Sequence, residues 1–302
     1  MIDLPDKYKE KIISMFGTEN KIWLDNVNTL VDKYVKKFNL KNIKVTDNLS
    51  YNVVLFAKCE KFGDLVLKIG LPDNKIFNEI VALKKYDGKG ACKCHYSNKE
   101  DRLMILERLI PGETSHKIKN REERIKIFCD VASNLILKEE KNLQLPTYRE
   151  VLDKAFIESE KEPEKYKLLK KLIQAADNFY KEIESINLSK FLLHGDLYHD
   201  NILTTADGRK AIDPKGIIGE RVLETARFIE NEIEKQEINL EVIELMAKYY
   251  KEDKNLICKS VFIDSVLSFC WYMEGNLGNE KSIVEAVKNL QSILNFLNQN
   301  DI

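Results

Sequence analysis

Along the first forty residues apolar side chains recur at three-and-four spacing: Ile12, Ile13 and Phe16, then Leu24, Val27, Leu30, Val31 and Tyr34. That is the period of a helix burying one face, so residues 6 to 40 are expected to be mostly helical. From Ile43 the period drops to two. Ile43, Val45, Tyr51, Val53 and Leu55 alternate, and Leu65-Val66-Leu67-Lys68-Ile69 follows a charged turn around Lys61-Phe62-Gly63-Asp64. This pattern predicts a β-meander. A helix from about Asn74 to Tyr86, a strand near Ala91 to Tyr96 and a strand over Leu103-Met104-Ile105-Leu106-Glu107 come next. Pro111-Gly112 punctuates the exit, and beyond it nearly everything reads as helix apart from one hairpin. The expected class is α+β in two lobes, with no internal repeat. Residues 1–108 form a small β-rich lobe (helical prelude 1–42, meander and helix 43–108), and 109–302 a larger, mainly helical lobe.

The chemistry sits at that hairpin. His194-Gly195-Asp196-Leu197-Tyr198-His199-Asp200-Asn201-Ile202-Leu203 is followed by Ala211-Ile212-Asp213-Pro214. An Asp, an Asn five residues on and a second Asp from the next strand reproduce the spacing of the kinase template for phosphoryl transfer. In those roles Asp196 accepts the proton of the attacking hydroxyl. Asn201 and Asp213 hold the Mg2+ that bridges nucleotide phosphates. Phe191-Leu192-Leu193 before the loop, and the apolar pairs Ile202-Leu203 and Ala211-Ile212 around the Ala206-Asp207-Gly208 turn, would hold it rigidly at a sheet edge. A chance surface turn explains an isolated His-x-Asp, but not four spaced polar positions, a flanking hairpin and a second Asp together.

Within the small lobe, Lys68 closes an apolar strand and Glu79 lies on the following helix. A buried lysine needs a counter-charge, and a helix Glu would orient its ammonium toward the α- and β-phosphates of ATP or GTP. The bland alternative is a solvated lysine and a helix-surface glutamate. A phosphate loop is expected over Asp47-Asn48-Leu49-Ser50-Tyr51-Asn52, where backbone amides and the Ser50 hydroxyl could cap a phosphate. No GxGxxG is present there, and the missing Walker sequence excludes a P-loop enzyme. Glu107 and Leu109 fall where backbone carbonyl and amide, rather than side chains, would read adenine.

Composition narrows the class. With 48 Lys+Arg against 49 Asp+Glu the net charge is −1, so there is no basic field to gather nucleic acid. No 18-residue apolar run and no signal-peptide core are read from the sequence, so no membrane association and a cytoplasmic location are expected. The six cysteines show no paired framework, which suits reduced thiols. Cys92-Lys93-Cys94-His95 could ligate zinc, but the second half of a four-ligand site is missing nearby.

The chain resembles the aminoglycoside phosphotransferase superfamily, which has a protein-kinase-like fold, and most of all its streptomycin 6-kinase and hydroxyurea phosphotransferase branch. The matching segments are Val66-Leu67-Lys68-Ile69-Gly70, Asn78-Glu79-Ile80-Val81-Ala82-Leu83, Met104 through Gly112, Leu193 through Leu203 and Ala211 through Glu220. Asp213-Pro214-Lys215-Gly216 is the most branch-specific, replacing the DFG of protein kinases, and Trp23 also fits the branch. The resemblance implies transfer of the γ-phosphate of ATP, or of GTP, to a hydroxyl of a small molecule. An aminoglycoside such as streptomycin is the leading acceptor.

Three features of the residues themselves bear on the acceptor. Gly195 stands where protein kinases carry Arg, so nothing in this loop is placed to clamp an activation-loop phosphate. Only about ten residues separate Asp213 from the helical run beginning near Leu223, too few for a peptide platform. Asp264, Trp271 and Glu274 fall near one helical face, where carboxylates beside an indole would hold a cationic antibiotic. The alternative is that Trp271 is core and Glu274 solvated. Lys215 could neutralise the transferring phosphoryl group or pair with a carboxylate such as Glu220. A metabolic kinase acting on a sugar or amino alcohol, and a nucleotide-binding regulator without turnover, are the competing classes.

Overall fold

A computed structural model describes all residues except 1, 18, 19, 48, 74, 139–142, 163, 165, 187, 188, 233–238, 275–279 and 301. The chain divides into two compact units, Met1–Gly112 with Thr204–Lys210, and Glu113–Leu203 with Ala211–Ile302.

The first unit opens with α1 (Asp6–Phe16) and α2 (Asn20–Phe38), followed by β1 (Lys41–Val45), β2 (Val53–Cys59) and β3 (Gly63–Ile69). After α3 (Lys75–Tyr86) come β4 (Cys94–Asn98) and β5 (Leu103–Glu107), completing an antiparallel sheet of order β1-β2-β3-β5-β4. Asn74, the expected start of α3, lies outside the described residues. The strand expected near Ala91 to Tyr96 begins three residues later, at Cys94. Alternation decides which side of the sheet each residue serves. Val53, Leu55, Ala57, Leu65, Leu67, Ile69, Leu103 and Ile105 are buried in one cluster with Ile12, Val27, Val31 and Tyr34 from the helices. The intervening positions face the other way, and Lys68, paired in register with Val54 and Met104, is one of them.

The chain continues through β6 (Pro111–Thr114), and the second unit then presents α4 (Arg121–Leu135), β7 (Leu137–Lys138), α5 (Tyr148–Lys161), α6 (Lys170–Ile186) and β8 (Phe191–Leu193). The hairpin β9 (Ile202–Thr205) and β10 (Gly208–Ala211) precedes β11 (Ile217–Gly219), and α7 (Thr225–Glu232), α8 (Leu240–Tyr250), α9 (Lys254–Glu274) and α10 (Glu280–Gln299) complete the order. The expectation of helix alone outside the hairpin is corrected here. β11, β8 and β7 form a second antiparallel sheet whose strands, two or three residues long, are too short to show a period.

A second correction concerns α9, which is long and apolar enough, by length and composition, to cross a membrane. Burial explains it. Of its most apolar 18-residue window 72% is buried within the protein, which makes α9 a core helix packed on more than one side.

Candidate active site

In the first unit the strand and the helix deliver one charge each to the same point. Lys68 and Glu79 are 3% and 6% exposed, and Lys68 Nζ lies 2.8 Å from Glu79 Oε1. Glu79 sits on the face of α3 that also buries Ile76, Ile80 and Leu83, so packing of that face turns the carboxylate inward. Gly70 lets the helix approach: a Cβ there would come within 2.6 Å of Ile76 Cδ1. Ser50 is exposed in the segment between β1 and β2, and Asn48 of the expected phosphate loop lies outside the described residues. Glu107 ends β5 with its carboxylate bound by Lys210 Nζ at 2.8 and 3.0 Å and by the Lys93 amide at 2.9 Å. The Leu109 side chain is buried. Arg108 stacks its guanidinium 3.9 Å above the Phe56 ring.

In the second unit His194 organises the loop. Burial pushes its imidazole down to about 4, so the ring is neutral at pH 7. Nε2 then donates to the Ile212 carbonyl at 2.9 Å, and Nδ1 accepts the Asp196 amide at 3.2 Å. Its own amide and that of Gly195 donate to Glu224 at 2.6 and 3.0 Å, and its carbonyl accepts the Lys215 amide at 2.8 Å. Gly195 takes φ +75°, a backbone conformation suited to glycine, and a Cβ there would sit 3.2 Å from Ile217 Cδ1. Burial pushes the Glu224 carboxyl up to about 7 despite the two amides.

Asp196 is thereby presented at the end of a braced turn. Its carboxylate Oδ1 is 3.3 Å from Lys215 Nζ and 3.4 Å from Arg227 Nε. Lys215 Nζ also lies 4.8 Å from the Trp271 ring centroid. The alternative pairing of Lys215 with Glu220 is not the arrangement found: Glu220 is bound by Lys190 instead. Asn201 donates its amide to the Asp196 carbonyl at 2.8 Å, which leaves Asn201 Oδ1 as an oxygen donor. Asp213 adopts φ 59°, a left-handed conformation that Asp tolerates better than most residues and that costs of the order of 1 kcal/mol.

Asn201 and Asp213 suit the coordination habits of magnesium. They offer hard oxygens, and Mg2+ takes one or two carboxylates from the protein while phosphates and water complete its shell. Among the described residues no group of three or more His, Cys, Asp or Glu forms a self-sufficient metal cluster.

The three residues expected to hold the acceptor separate. Asp264 is only 4% exposed and is engaged by the Tyr148 hydroxyl at 3.1 Å and by Arg227 at 3.1 Å. Trp271 is partly buried beneath Lys215. Glu274 is exposed and lies 3.6 Å from Lys154. Sequence reasoning missed Arg227, Tyr148 and Glu224, which lie in helices where a charged or aromatic residue resembles an ordinary surface or core position.

A model for the family described as aminoglycoside/hydroxyurea antibiotic resistance kinase matches residues 40–275. No curated protein matches the chain at a significant level. Among solved structures, an ethanolamine kinase from Plasmodium vivax is similar at a TM-score of 0.64 and 18% identity, covering 97% of this chain and 94% of that one. An amicoumacin kinase in complex with AMP-PNP, Ca2+ and its antibiotic gives 0.65 at 12% identity over 89% and 93%. A thermostable mutant of an aminoglycoside phosphotransferase gives 0.57 at 11% identity over 87% and 98%. These likenesses establish the protein-kinase-like fold.

Proposed function

The chain belongs to the aminoglycoside/hydroxyurea antibiotic resistance kinase family, whose members are small-molecule phosphotransferases, and we propose that its acceptor is a hydroxylated, cationic antibiotic of the streptomycin type. The observation that carries the chemistry is the braced Asp196 carboxylate, with Lys215 at 3.3 Å and the Asn201 amide fixing its main chain. Asp196 accepts the proton of the acceptor hydroxyl as the acceptor oxygen bonds to the γ-phosphorus and the bond to the departing ADP oxygen breaks. Lys215 offsets charge on the transferred group. Lys68, oriented by Glu79, binds the α- and β-phosphates of ATP, the Ser50 segment caps a phosphate, and the backbone of Glu107 and Leu109 reads the base. Asn201 and Asp213 would hold magnesium, which when bound neutralises phosphate charge.

Support for a cationic acceptor comes from α9. Glu274 has one described ion-pair partner, the exposed Lys154 at 3.6 Å, and such pairs exchange readily for a ligand cation. The indole of Trp271 already accepts a cation on its face. An amino alcohol shares this chemistry and makes a metabolic kinase the second reading. ATP consumption should be measured with streptomycin, other aminoglycosides, hydroxyurea, choline, ethanolamine and a neutral sugar. Fastest turnover with streptomycin is expected, and preference for the neutral sugar would overturn the cationic acceptor.

A further inference from the structure

We infer that Arg227 is the positioning residue of the catalytic carboxylate, holding Asp196 by one oxygen so that the other is left to take the acceptor's proton. The inference rests on the reading of Asp196 as the base.

Arg227 lies in the first turn of α7, largely buried, and meets three carboxylates through its three nitrogens. Nη2 is 3.1 Å from Asp264 Oδ2, Nη1 is 3.3 Å from Glu230 Oε2, and Nε is 3.4 Å from Asp196 Oδ1. The two carboxylates other than Asp196 are themselves tied down. Tyr148 donates to Asp264 at 3.1 Å, and Ser265 donates to Glu230. Of the three contacts only that of Nη1 with Glu230 has hydrogen-bond geometry; those of Nη2 and Nε are ion pairs, so the planar guanidinium, set between two other carboxyls, presents its buried Nε to Asp196 as a positioned charge.

That charge approaches Asp196 from one side only. Lys215, the other cation on the base, also meets Oδ1, and no described ion pair or hydrogen bond engages Oδ2. Oδ1 is thus the anchored oxygen and Oδ2 the available one. In phosphoryl transfer through a loose transition state, placing the hydroxyl in line with phosphorus contributes more than removing its proton early, so a fixed carboxylate serves the reaction.

A purely structural role for Arg227, as counter-ion to Asp264 and partner of Glu230, whose carboxyl burial and the neighbouring Asp264 push up to about 8, accounts for two of its contacts and leaves the third without consequence. The two roles make different kinetic predictions. Arg227→Gln should lower kcat roughly 10²-fold, the scale of a small misplacement in a reacting group, while KM for ATP and for the acceptor stay unchanged. In the Asp196→Asn background the same substitution should cost nothing further, because Arg227 acts through a carboxylate that is no longer there.

Because removing a largely buried cation can unfold the chain, Arg227→Lys is the companion variant. It keeps the charge but cannot reach three carboxylates at fixed angles, so it should melt near the wild-type temperature and still be slow. Rates are read as ADP formed with streptomycin and, in parallel, as the slow hydrolysis of ATP without it, which gives a readout whichever acceptor is native. Wild-type kcat in folded Arg227→Lys, or losses that multiply in the double variant, would overturn the inference alone. Wild-type turnover by Asp196→Asn would overturn the base assignment together with it.

Discussion

Two charged centres in this protein are built in opposite ways. The Lys68–Glu79 pair is almost wholly buried, short at 2.8 Å, and carried by a strand and a helix. The Asp196 centre is about a quarter exposed at the carboxylate and is approached by two cations at the longer distances of 3.3 and 3.4 Å. Burial raises the cost of separating a pair, so the first centre holds a charge in place. The second centre leaves part of the Asp196 carboxylate open to solvent, as the proposed role of base requires.

The largest effect that tests this contrast is loss of the base. Asp196→Asn should lower kcat by roughly 10² to 10⁴, the range for removal of a general acid or base. Affinity for ATP should stay close to wild type, because the proposed nucleotide contacts are made by other residues. Single-turnover phosphoryl transfer and calorimetric ATP binding on the same preparation give both halves, and near-normal turnover would contradict the assignment.

Breaking the buried pair should instead act on stability. Glu79→Gln removes the carboxylate 2.8 Å from the buried Lys68 ammonium, and neutralising one partner of a buried ion pair costs up to about 3 to 5 kcal/mol. Urea unfolding should show a midpoint well below wild type with an unchanged slope. A loss under about 1 kcal/mol would mean that the lysine finds other compensation.

Much of the first unit was legible because its elements are long enough to display a period. The seven-residue strand β3 alternates cleanly and places Lys68 opposite the helical core, and the three-and-four spacing of α2 marks Val27, Val31 and Tyr34 as buried. The loop motif at Asp196 was legible for a different reason: its polar residues stand at spacings that few other structures require. What surrounds the loop was not. Glu224 and Arg227 touch it from about thirty positions away along the chain, and nothing local distinguishes an arginine bound to three carboxylates from one on a solvated helix face. Helical spacing aligns Asp264 with Trp271 and so suggests an acceptor ligand. Its burial against Tyr148 and Arg227 depends on α5 and α7 packing on α9, which no local pattern reveals.

A smaller effect concerns acid, where two buried glutamates of the same region differ in sign. Burial alone would raise both, and it does raise Glu224, whose partners are amides. Glu232 experiences the same burial, but Arg124 and His199 outweigh it and hold the carboxyl down at about 2. A carboxyl depressed in the folded state stabilises above its unfolded value and loses that contribution as pH falls through the folded one. Glu232 should therefore contribute stability near pH 7 that is lost progressively as pH falls from about 5 to 2. Thermal midpoints measured across that window should fall more steeply in wild type than in Glu232→Gln. Parallel curves would show that the Arg124 fork does not govern acid stability.

The smallest expected effect is at the proposed acceptor contact. Glu274 is held only by Lys154 at 3.6 Å among its described ion pairs, so replacing it disturbs little of the fold. Glu274→Gln should raise KM for streptomycin several-fold, in line with the roughly 1 kcal/mol typical of a partly exposed ion pair, and leave kcat nearly unchanged, because ground state and transition state lose the same attraction. Added salt should narrow the difference between variant and wild type by screening that attraction. Lys154→Met separates the contact from general electrostatics. Freed from its lysine, Glu274 should bind the cationic acceptor more tightly, and KM should fall. A KM that rises in Lys154→Met as it does in Glu274→Gln would mean that the pair shapes the pocket as a unit rather than offering a carboxylate to the ligand.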